Sequence, residues 1–162
     1  MKRSILAILI ISLVAAFGCD NLNGQNKTVV EKGRLSKPAA EWKKKLTANQ
    51  YEIMVNRGTE PPFNNAYYNN HQKGVYVSAA TGEVLFTSAD KFDSGTGWPS
   101  FVKPADTGKI AIVHDSSFGM SRDEVVEKST GLHLGHVFND GPADRGGKRY
   151  CMNSGALIFI KK

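Results

Sequence analysis

The chain has 162 residues, enough for one globular domain and hardly for two. Its composition, 41% hydrophobic and 22% charged, is ordinary for a soluble fold. The formal net charge of +6 comes from scattered basic residues, and no Arg-rich helix or aromatic RNA-binding signature accompanies them. We therefore do not expect nucleic acid to be a partner.

The start of the chain predicts an export signal. Lys2 and Arg3 precede the apolar stretch Ile5–Phe17, which would span about 20 Å as a helix, less than the ~30 Å hydrocarbon core of a membrane. This length favours a cleaved signal over a transmembrane helix. The stretch ends near Cys19 and resembles a bacterial lipoprotein signal, which implies cleavage before Cys19 and lipidation of its thiol.

Two outcomes, lipidation and ordinary signal cleavage, stay open for this end of the chain, because Ala16 stands where lipoprotein signals usually carry Leu. Ordinary cleavage nearby would release a soluble protein. With lipidation, we expect a signal peptide at 1–18, a polar tether at 19–35 and a folded domain at 36–162. The protein would then be exported to the periplasm or cell envelope and anchored to the membrane through lipid. Cys151 would be the one free thiol, which implies either burial or chemistry.

The elements that follow predict helices first and strands afterwards. Ser36 as a capping hydroxyl, Pro38 and Glu41 predict a helix start, and the apolar stripe from Trp42 to Val55 predicts two short helices with a break near Thr47. Short apolar segments separated by Gly, Asp, Asn and Ser predict strands from Gly74 onward. These segments are 75–77 and 84–86, joined as a hairpin by the turn at 81–82, then 110–113, 125–126, 132–138, 148–152 and 157–160. We predict a mainly β fold, in which two antiparallel sheets form an open, barrel-like structure with the short helices at its N-terminal end.

The strand around Cys151 carries the first chemical signal. Alternate residues of a strand share a face, so Arg149, Cys151 and Asn153 project together. A cation beside a thiol stabilises the thiolate, and we expect it to lower the thiol pKa from ~8.5. The alternative is a small core cysteine beside a surface arginine.

A second signal is the pair His133 and His136. Residues three apart do not share a face of a regular strand, so either a bulge at Gly135 turns both inward or they face different ways. The remaining histidines, His71 and His114, lack ligand spacing to this pair, and we do not expect a metal site there. A pair without function stays open.

The third signal is the loop around Trp98. Gly95 and Gly97 allow the backbone to approach another surface closely, and Pro99 fixes the turn after the indole. Trp98 on such a rigid turn could form one wall of an apolar slot for a methyl group. The alternative is that Trp98 is a core residue.

Four segments, taken in this order, resemble the B-type methionine sulfoxide reductase (MsrB) family, which reduces the R epimer of methionine sulfoxide. The segments are TEPPF at 59–63, KFDSGTGWPSF at 91–101, HLGHVFNDGP at 133–142 and RYCMNSGAL at 149–157. The resemblance extends from about Glu41 to Ile160. It implies that oxidised proteins or peptides containing methionine sulfoxide are the substrates.

The resemblance also implies a role for each candidate residue. The implied set is Cys151 as the nucleophile, Trp98 and Phe138 as substrate-binding residues, His133, His136 and Asn153 around the sulfoxide oxygen, and Arg149 and Asp140 as electrostatic tuning residues. In the implied reaction a thiolate attacks the sulfur, and the oxygen leaves once it is protonated. The products are methionine and a sulfenic acid on the catalytic thiol.

Two departures from the family pattern change what is expected. Many members hold a structural zinc on two Cys-x-x-Cys pairs, whereas the matching positions here are Ser78, Thr81, Glu127 and Thr130, so we expect no zinc and no other cofactor. Many members carry a resolving cysteine where this chain has Thr96. We therefore expect an external thiol donor, such as a thioredoxin-like reductase, to reduce the oxidised enzyme.

Two other function classes compete with the reductase. A Cys–His hydrolase or acyltransferase would pair Cys151 with His133 or His136 as thiolate and imidazolium. A tethered binding module with an inert cysteine is the non-enzymatic alternative.

Overall fold

The computed structural model describes residues 35–115 and 121–162 of the chain. The predicted signal peptide, Cys19 and nearly all of the predicted tether lie outside the described residues. Within the described part, no helix has the length and apolar character that crossing a membrane requires.

Two short helices open the described chain, α1 at Ala39–Lys45 and α2 at Ala48–Met54. Leu46 caps the end of the first, and Thr47 caps the start of the second. Its hydroxyl accepts a hydrogen bond from the Gln50 backbone N–H at 3.3 Å, and its own N–H donates to the Gln50 side chain at 3.0 Å. This reciprocal capping box satisfies two N–H groups at the start of α2. The predicted break near Thr47 is confirmed.

The predicted cap of the first helix is wrong. Pro38, not Ser36, precedes the first turn of α1, and no side chain caps that turn. The backbone N–H of Ser36 donates instead to the carbonyl of Thr130 at 2.8 Å, which ties the segment before α1 to the loop after a later strand.

The described residues contain nine strands after these helices, and each of the seven predicted apolar segments overlaps one of them. The strands are β1 Gly74–Ser78, β2 Val84–Thr87, β3 Lys91–Phe92, β4 Ser100–Phe101, β5 Ile110–Asp115, β6 Arg122–Glu127, β7 His133–Phe138, β8 Arg149–Met152 and β9 Leu157–Lys161. The two strands that the sequence does not predict, β3 and β4, have two residues each. Two residues are too few to show an alternating pattern.

The strands form two antiparallel sheets, as predicted. The smaller has the order β2-β1-β9 and the larger β3-β4-β8-β7-β6-β5. Among the described residues no pairing joins the edges of either sheet, so neither is a closed barrel, and the barrel-like shape stays a prediction.

Aromatic rings join the two sheets. Phe101 on β4 stacks on Phe86 of β2 with ring centroids 4.4 Å apart, and Tyr76 of β1 meets Phe101 edge-on at 5.0 Å. All three side chains are fully buried. Rings of this size contribute a large share of core stability. Their packing holds β4, and hence Ser100 at its start, against the smaller sheet.

Candidate active site

A row of polar side chains crosses the larger sheet. Ser100 of β4 is the register partner of Cys151 on β8, which in turn pairs with His136 on β7. His136 is also opposite Glu124 on β6. Because directly opposed residues of antiparallel strands project on the same face, these four side chains stand side by side on one surface.

A bulge adds His133 to this surface. Val125 pairs with Gly135 while Val126 pairs with His133, so Leu134 is an extra residue in β7. The extra residue shifts the alternation by one and turns both histidines to the same face. Their ring centroids are 5.2 Å apart, edge to face. Of the two arrangements left open by the sequence, the bulge is the correct one.

Gly135 lets β7 and β8 approach each other beside this bulge. A Cβ atom on Gly135 would lie 2.1 Å from the carbonyl oxygen of Cys151 and 2.9 Å from the Cα of Met152. No side chain fits there without a shift of the backbone. The glycine therefore determines how close the histidine strand comes to the cysteine strand.

Cys151 lies in a small open cleft with a volume of about 120 Å³. Five of the predicted site residues line it, together with four others. The lining residues are Thr59, Trp98, Arg122, Gly135, His136, Phe138, Cys151, Met152 and Asn153. Three predicted residues do not line the cleft, namely His133, Arg149 and Asp140.

The electrostatics of Cys151 differ from the expectation. Burial raises the pKa of the thiol above its ordinary value, and this effect outweighs the charge of Arg149 and the hydrogen bonds from Thr96, Arg149 and Ser100, which lower it. The prediction that the thiol pKa lies below its ordinary value is wrong. Strand alternation shows that Arg149 is beside Cys151, but it does not show how deeply the sulfur is buried.

Arg149 is held by a bidentate ion pair. Its Nε and one terminal nitrogen donate to the two carboxylate oxygens of Asp140 at 2.9 and 2.8 Å. The guanidinium carbon also lies 4.4 Å from the centroid of the Phe138 ring. Hydrogen bonding to Asp140 raises the pKa of Arg149 and lowers that of Asp140. Arg149 thus presents a fixed positive charge to the thiol, whereas Asp140 acts on the thiol through Arg149.

The two histidines have different environments. Burial, together with the charges of His133 and Arg122, lowers the pKa of His136 to about 4, which makes its imidazole neutral at neutral pH. His133 is only 2% exposed, and its Nδ1 lies 2.8 Å from a carboxylate oxygen of Glu124. Its Nε2 is buried without a hydrogen-bond partner among the described groups.

The Trp98 loop is positioned by close backbone contact. Gly97 has φ +88°, and a Cβ there would lie 2.7 Å from the backbone nitrogen of Phe63. The expected close approach is thus found at Gly97, whereas Gly95 has φ +72° with open space around it. The indole N–H of Trp98 donates to the carbonyl of Glu60 at 2.9 Å, which fixes the ring at the cleft.

Glu60 also holds Asn153 and the turn after β8. Its backbone N–H donates to the Asn153 side-chain oxygen at 3.2 Å. Its carboxylate accepts from the backbone N–H groups of Ser154 and, at 3.0 Å, of Gly155. Burial raises the pKa of Glu60, and these N–H donors oppose the rise. One residue therefore positions both the indole and the amide that line the cleft.

Sequence reasoning did not identify several residues of this site. Glu124 and Arg57 form an ion pair beside the histidines, Arg122 lines the cleft, and Ser100 contacts the thiol. A signal for Glu124 was present, because it alternates with Val126 on the strand face that carries buried residues. A lone carboxylate at such a position requires a partner.

The four positions that the sequence resemblance matched to zinc-binding cysteines lie together, and none of them lines the cleft. The hydroxyls of Thr81 and Thr130 both donate to the buried carboxylate of Glu127, the second at 2.6 Å. The Ser78 hydroxyl accepts from the backbone N–H of Thr81 at 3.3 Å. Three hydroxyls and one carboxylate whose oxygens are already hydrogen-bonded do not form the thiolate or imidazole set that structural zinc requires.

A protein-family model, the SelR domain, matches the chain over residues 46–161. The matched range includes α2, all nine strands and every residue that lines the cleft.

Proposed function

Because the chain belongs to the SelR domain family, the MsrB family, it is an oxidoreductase of the methionine-R-sulfoxide reductase class, and we propose that Cys151 is the residue that removes the sulfoxide oxygen. The family assignment overrules the hydrolase and the binding-module alternatives. The observation that carries the proposal is the place of the Cys151 thiol, in a cleft between an indole and a neutral imidazole.

The proposed first step is transfer of the oxygen from substrate to enzyme. The sulfur of Cys151 attacks the sulfoxide sulfur, the S–O bond breaks, and the oxygen ends on the cysteine as a sulfenic acid. The thiol proton and the oxygen both remain in the cysteine product, so methionine sulfoxide plus thiol gives methionine plus sulfenic acid. The substrate sulfur is reduced by two electrons, and the cysteine sulfur is oxidised by two.

The resting thiol is protonated at neutral pH because burial raises its pKa. The attack therefore requires the proton to move toward the departing oxygen as the S–S contact forms. Arg149, Thr96 and Ser100 hydrogen-bond the sulfur and stabilise negative charge that develops on it. His136 is neutral and lines the cleft, so it can accept a proton from one atom and deliver it to another.

The two ends of the substrate require opposite surroundings, and the cleft provides both. Trp98 and Phe138 offer apolar surface for the methyl group, and His136 and the Asn153 amide offer polar groups for the sulfoxide oxygen. We propose that this asymmetry selects the R epimer, because the S epimer would exchange the methyl group and the oxygen.

We propose that an external dithiol regenerates the enzyme. Thr96, at the position of the resolving cysteine of other members, hydrogen-bonds the Cys151 sulfur but cannot form a disulfide with it. A thioredoxin-like reductase would attack the sulfenic acid, release water and then resolve the mixed disulfide with its second thiol. Formation of an intramolecular Cys19–Cys151 disulfide after one turnover, detected by mass spectrometry, would contradict this route.

We also propose the setting in which the reaction takes place. The signal and Cys19 support export and a lipid anchor, so that the enzyme repairs oxidised proteins of the periplasm or cell envelope. The hydroxyl–carboxylate cluster around Glu127 supports a domain that folds without zinc.

The decisive experiment measures turnover of the separated R and S sulfoxides, free and peptide-bound, with dithiothreitol as reductant. We expect the wild type to reduce the R epimer only and Cys151→Ser to reduce neither. Equal activity of the serine variant would refute the proposed nucleophile.

A further inference from the structure

We propose that Glu124 is a positioning residue for the reduction and acts by fixing the ring and the proton of His133. The inference rests on the proposed function. It concerns a carboxylate that does not line the cleft and is separated from it by the histidine pair.

Glu124 is held on both sides. It is 1% exposed, one oxygen accepts from His133 Nδ1 at 2.8 Å, and the other accepts from a guanidinium nitrogen of Arg57. Arg57 has φ +60°, a conformation that residues other than glycine seldom adopt and that persists where surrounding contacts hold it. The carboxylate therefore has a fixed orientation.

This orientation determines where His133 carries its proton. The hydrogen bonds and the charges of His133 and Arg57 lower the pKa of Glu124 despite its burial, so the carboxylate is ionised and only accepts. The hydrogen between the two residues is then on Nδ1. The opposite nitrogen, Nε2, is the ring position left to exchange a proton.

The surroundings of Nε2 support a part in proton transfer. This nitrogen is buried without a partner among the described groups, whereas buried polar atoms are nearly always hydrogen-bonded. A partner that arrives with the substrate, either the sulfoxide oxygen or a water molecule, would satisfy it. His136 lines the cleft and contacts the ring of His133 edge-on, so His133 lies directly behind a residue of the cleft wall.

His136 alone is a weak candidate for holding the proton that the leaving oxygen needs. Its pKa of about 4 means that little of it is protonated at neutral pH. The Glu124–His133 pair provides a second imidazole in contact with His136, and the hydrogen bond to Glu124 fixes its ring and the nitrogen that carries its hydrogen.

A purely structural role would differ in its consequences. In that case the Arg57–Glu124 ion pair would only tie the segment after α2 to β6, and its loss would lower stability without changing the chemistry of His133. The two roles are separated by measuring the protonated nitrogen directly, together with kcat and KM.

The experiment compares Glu124→Gln with Asp123→Asn in the full-length protein. Asp123 is a matched control because it is the adjacent carboxylate on β6 and pairs with the exposed His114 at 3.3 Å. Thermal unfolding checks that both variants are folded, nitrogen-15 NMR of the imidazoles reports the protonated ring nitrogen, and steady-state kinetics with R-sulfoxide reports catalysis.

In the wild type we expect the His133 proton on Nδ1. In Glu124→Gln we expect a changed protonation pattern and a kcat lower by at least about tenfold, with KM within about twofold, since acid–base catalysis is worth roughly 10² to 10⁴ in rate. Asp123→Asn should match the wild type in both readouts.

The proposal is overturned if folded Glu124→Gln keeps the wild-type kcat, or if kcat falls while the His133 signals stay unchanged. If the glutamine variant does not fold, Glu124→Asp, which withdraws the carboxylate by one methylene, is measured in the same way. A wild-type spectrum without a proton on Nδ1 overturns the proposal by itself. Absence of R-sulfoxide reduction by the wild type would instead reject the proposed function. The NMR result would still show whether Glu124 fixes the proton of His133.

Discussion

The thiol of Cys151 is governed by two opposing influences. Burial raises its pKa, and the Arg149 charge with the Thr96 and Ser100 hydroxyls opposes the rise. The site therefore stores a protonated nucleophile and stabilises its charge only as the reaction develops. Such a thiol is protected from adventitious oxidants, which attack thiolates.

This balance predicts the pH dependence of alkylation. In the resting enzyme, iodoacetamide should modify Cys151 slowly at pH 7 and about tenfold faster per pH unit until the pH passes the raised pKa. Arg149→Met should slow the reaction further at pH 7, because the cation that lowers the pKa is gone. Peptide mapping by mass spectrometry measures the modification of Cys151 separately from Cys19. A rate that is already maximal at pH 7 would contradict burial as the dominant influence.

His136 predicts a loss of stability in mild acid. Its pKa is about 4 in the folded protein against 6.5 for the unperturbed side chain, so the unfolded state binds more protons between these values. The free energy of unfolding should therefore fall as the pH is lowered from about 6.5 toward 4, by at most about 3 kcal/mol from this residue.

Urea denaturation of the wild type and of His136→Asn at pH 7 and pH 5 measures this effect. The asparagine variant should lose less stability over that interval, because it has no ring to protonate. Equal losses in both proteins would assign the acid sensitivity to other groups.

At the scale of single elements, the β7 bulge and Gly135 act together. The bulge turns two histidines to one face, and the glycine lets the Cys151 carbonyl lie where a side chain would otherwise stand. The sequence motif His-Leu-Gly-His thus encodes a distorted strand held tightly against its neighbour.

Gly135→Ala should consequently damage both fold and activity. The added methyl group would meet the Cys151 carbonyl at 2.1 Å, so β7 and β8 must move apart, at a cost of roughly 1–3 kcal/mol or more for overpacking. We expect a lower unfolding midpoint and a large loss of kcat. Gly108→Ala, in the 3₁₀ turn Thr107–Lys109, is the control and should change neither strongly. Wild-type activity in Gly135→Ala would show that the strands tolerate separation.

Much of this arrangement could be predicted from local sequence, and some could not. The strands with apolar alternation follow from periodicity, as do the two alternatives for the histidine pair, a bulge or opposite faces. The pairing of Glu124 with His136 depends on register across separate strands, and the pKa of Cys151 depends on its burial, which no single segment determines. The cap of α1 is not predictable from local sequence, because the Ser36 N–H bonds to the Thr130 carbonyl in a distant loop.

At the scale of the whole molecule, the Glu127 cluster connects the turn after β1 with the turn after β6. Thr81 and Thr130 reach the same carboxylate from these two turns, which belong to different sheets. Hydrogen bonds to a buried charged group stabilise a fold by about 1.5–3 kcal/mol each. The cluster therefore joins the sheets at a second place besides the aromatic contacts.

Two measurements test this role. Incubation with a chelator should leave the thermal midpoint unchanged, because no step of folding would depend on zinc. Glu127→Ala should lower the free energy of unfolding by about 2–4 kcal/mol, since the buried Thr130 hydroxyl and the Thr81 hydroxyl both lose their acceptor. Glu41→Ala, exposed on α1, should have little effect. A chelator-induced fall in the midpoint would refute the metal-free interpretation.

The alignment of strands across the larger sheet has a consequence for how the enzyme matures. Displacing β8 by one position would bring Tyr150 or Met152 opposite His136 and turn the thiol to the other side of the pleat. A compact chain with all of its strands formed would then lack reductase activity. Recovery of reductase activity during refolding should accordingly lag behind recovery of the β circular-dichroism signal whenever misaligned sheets form first.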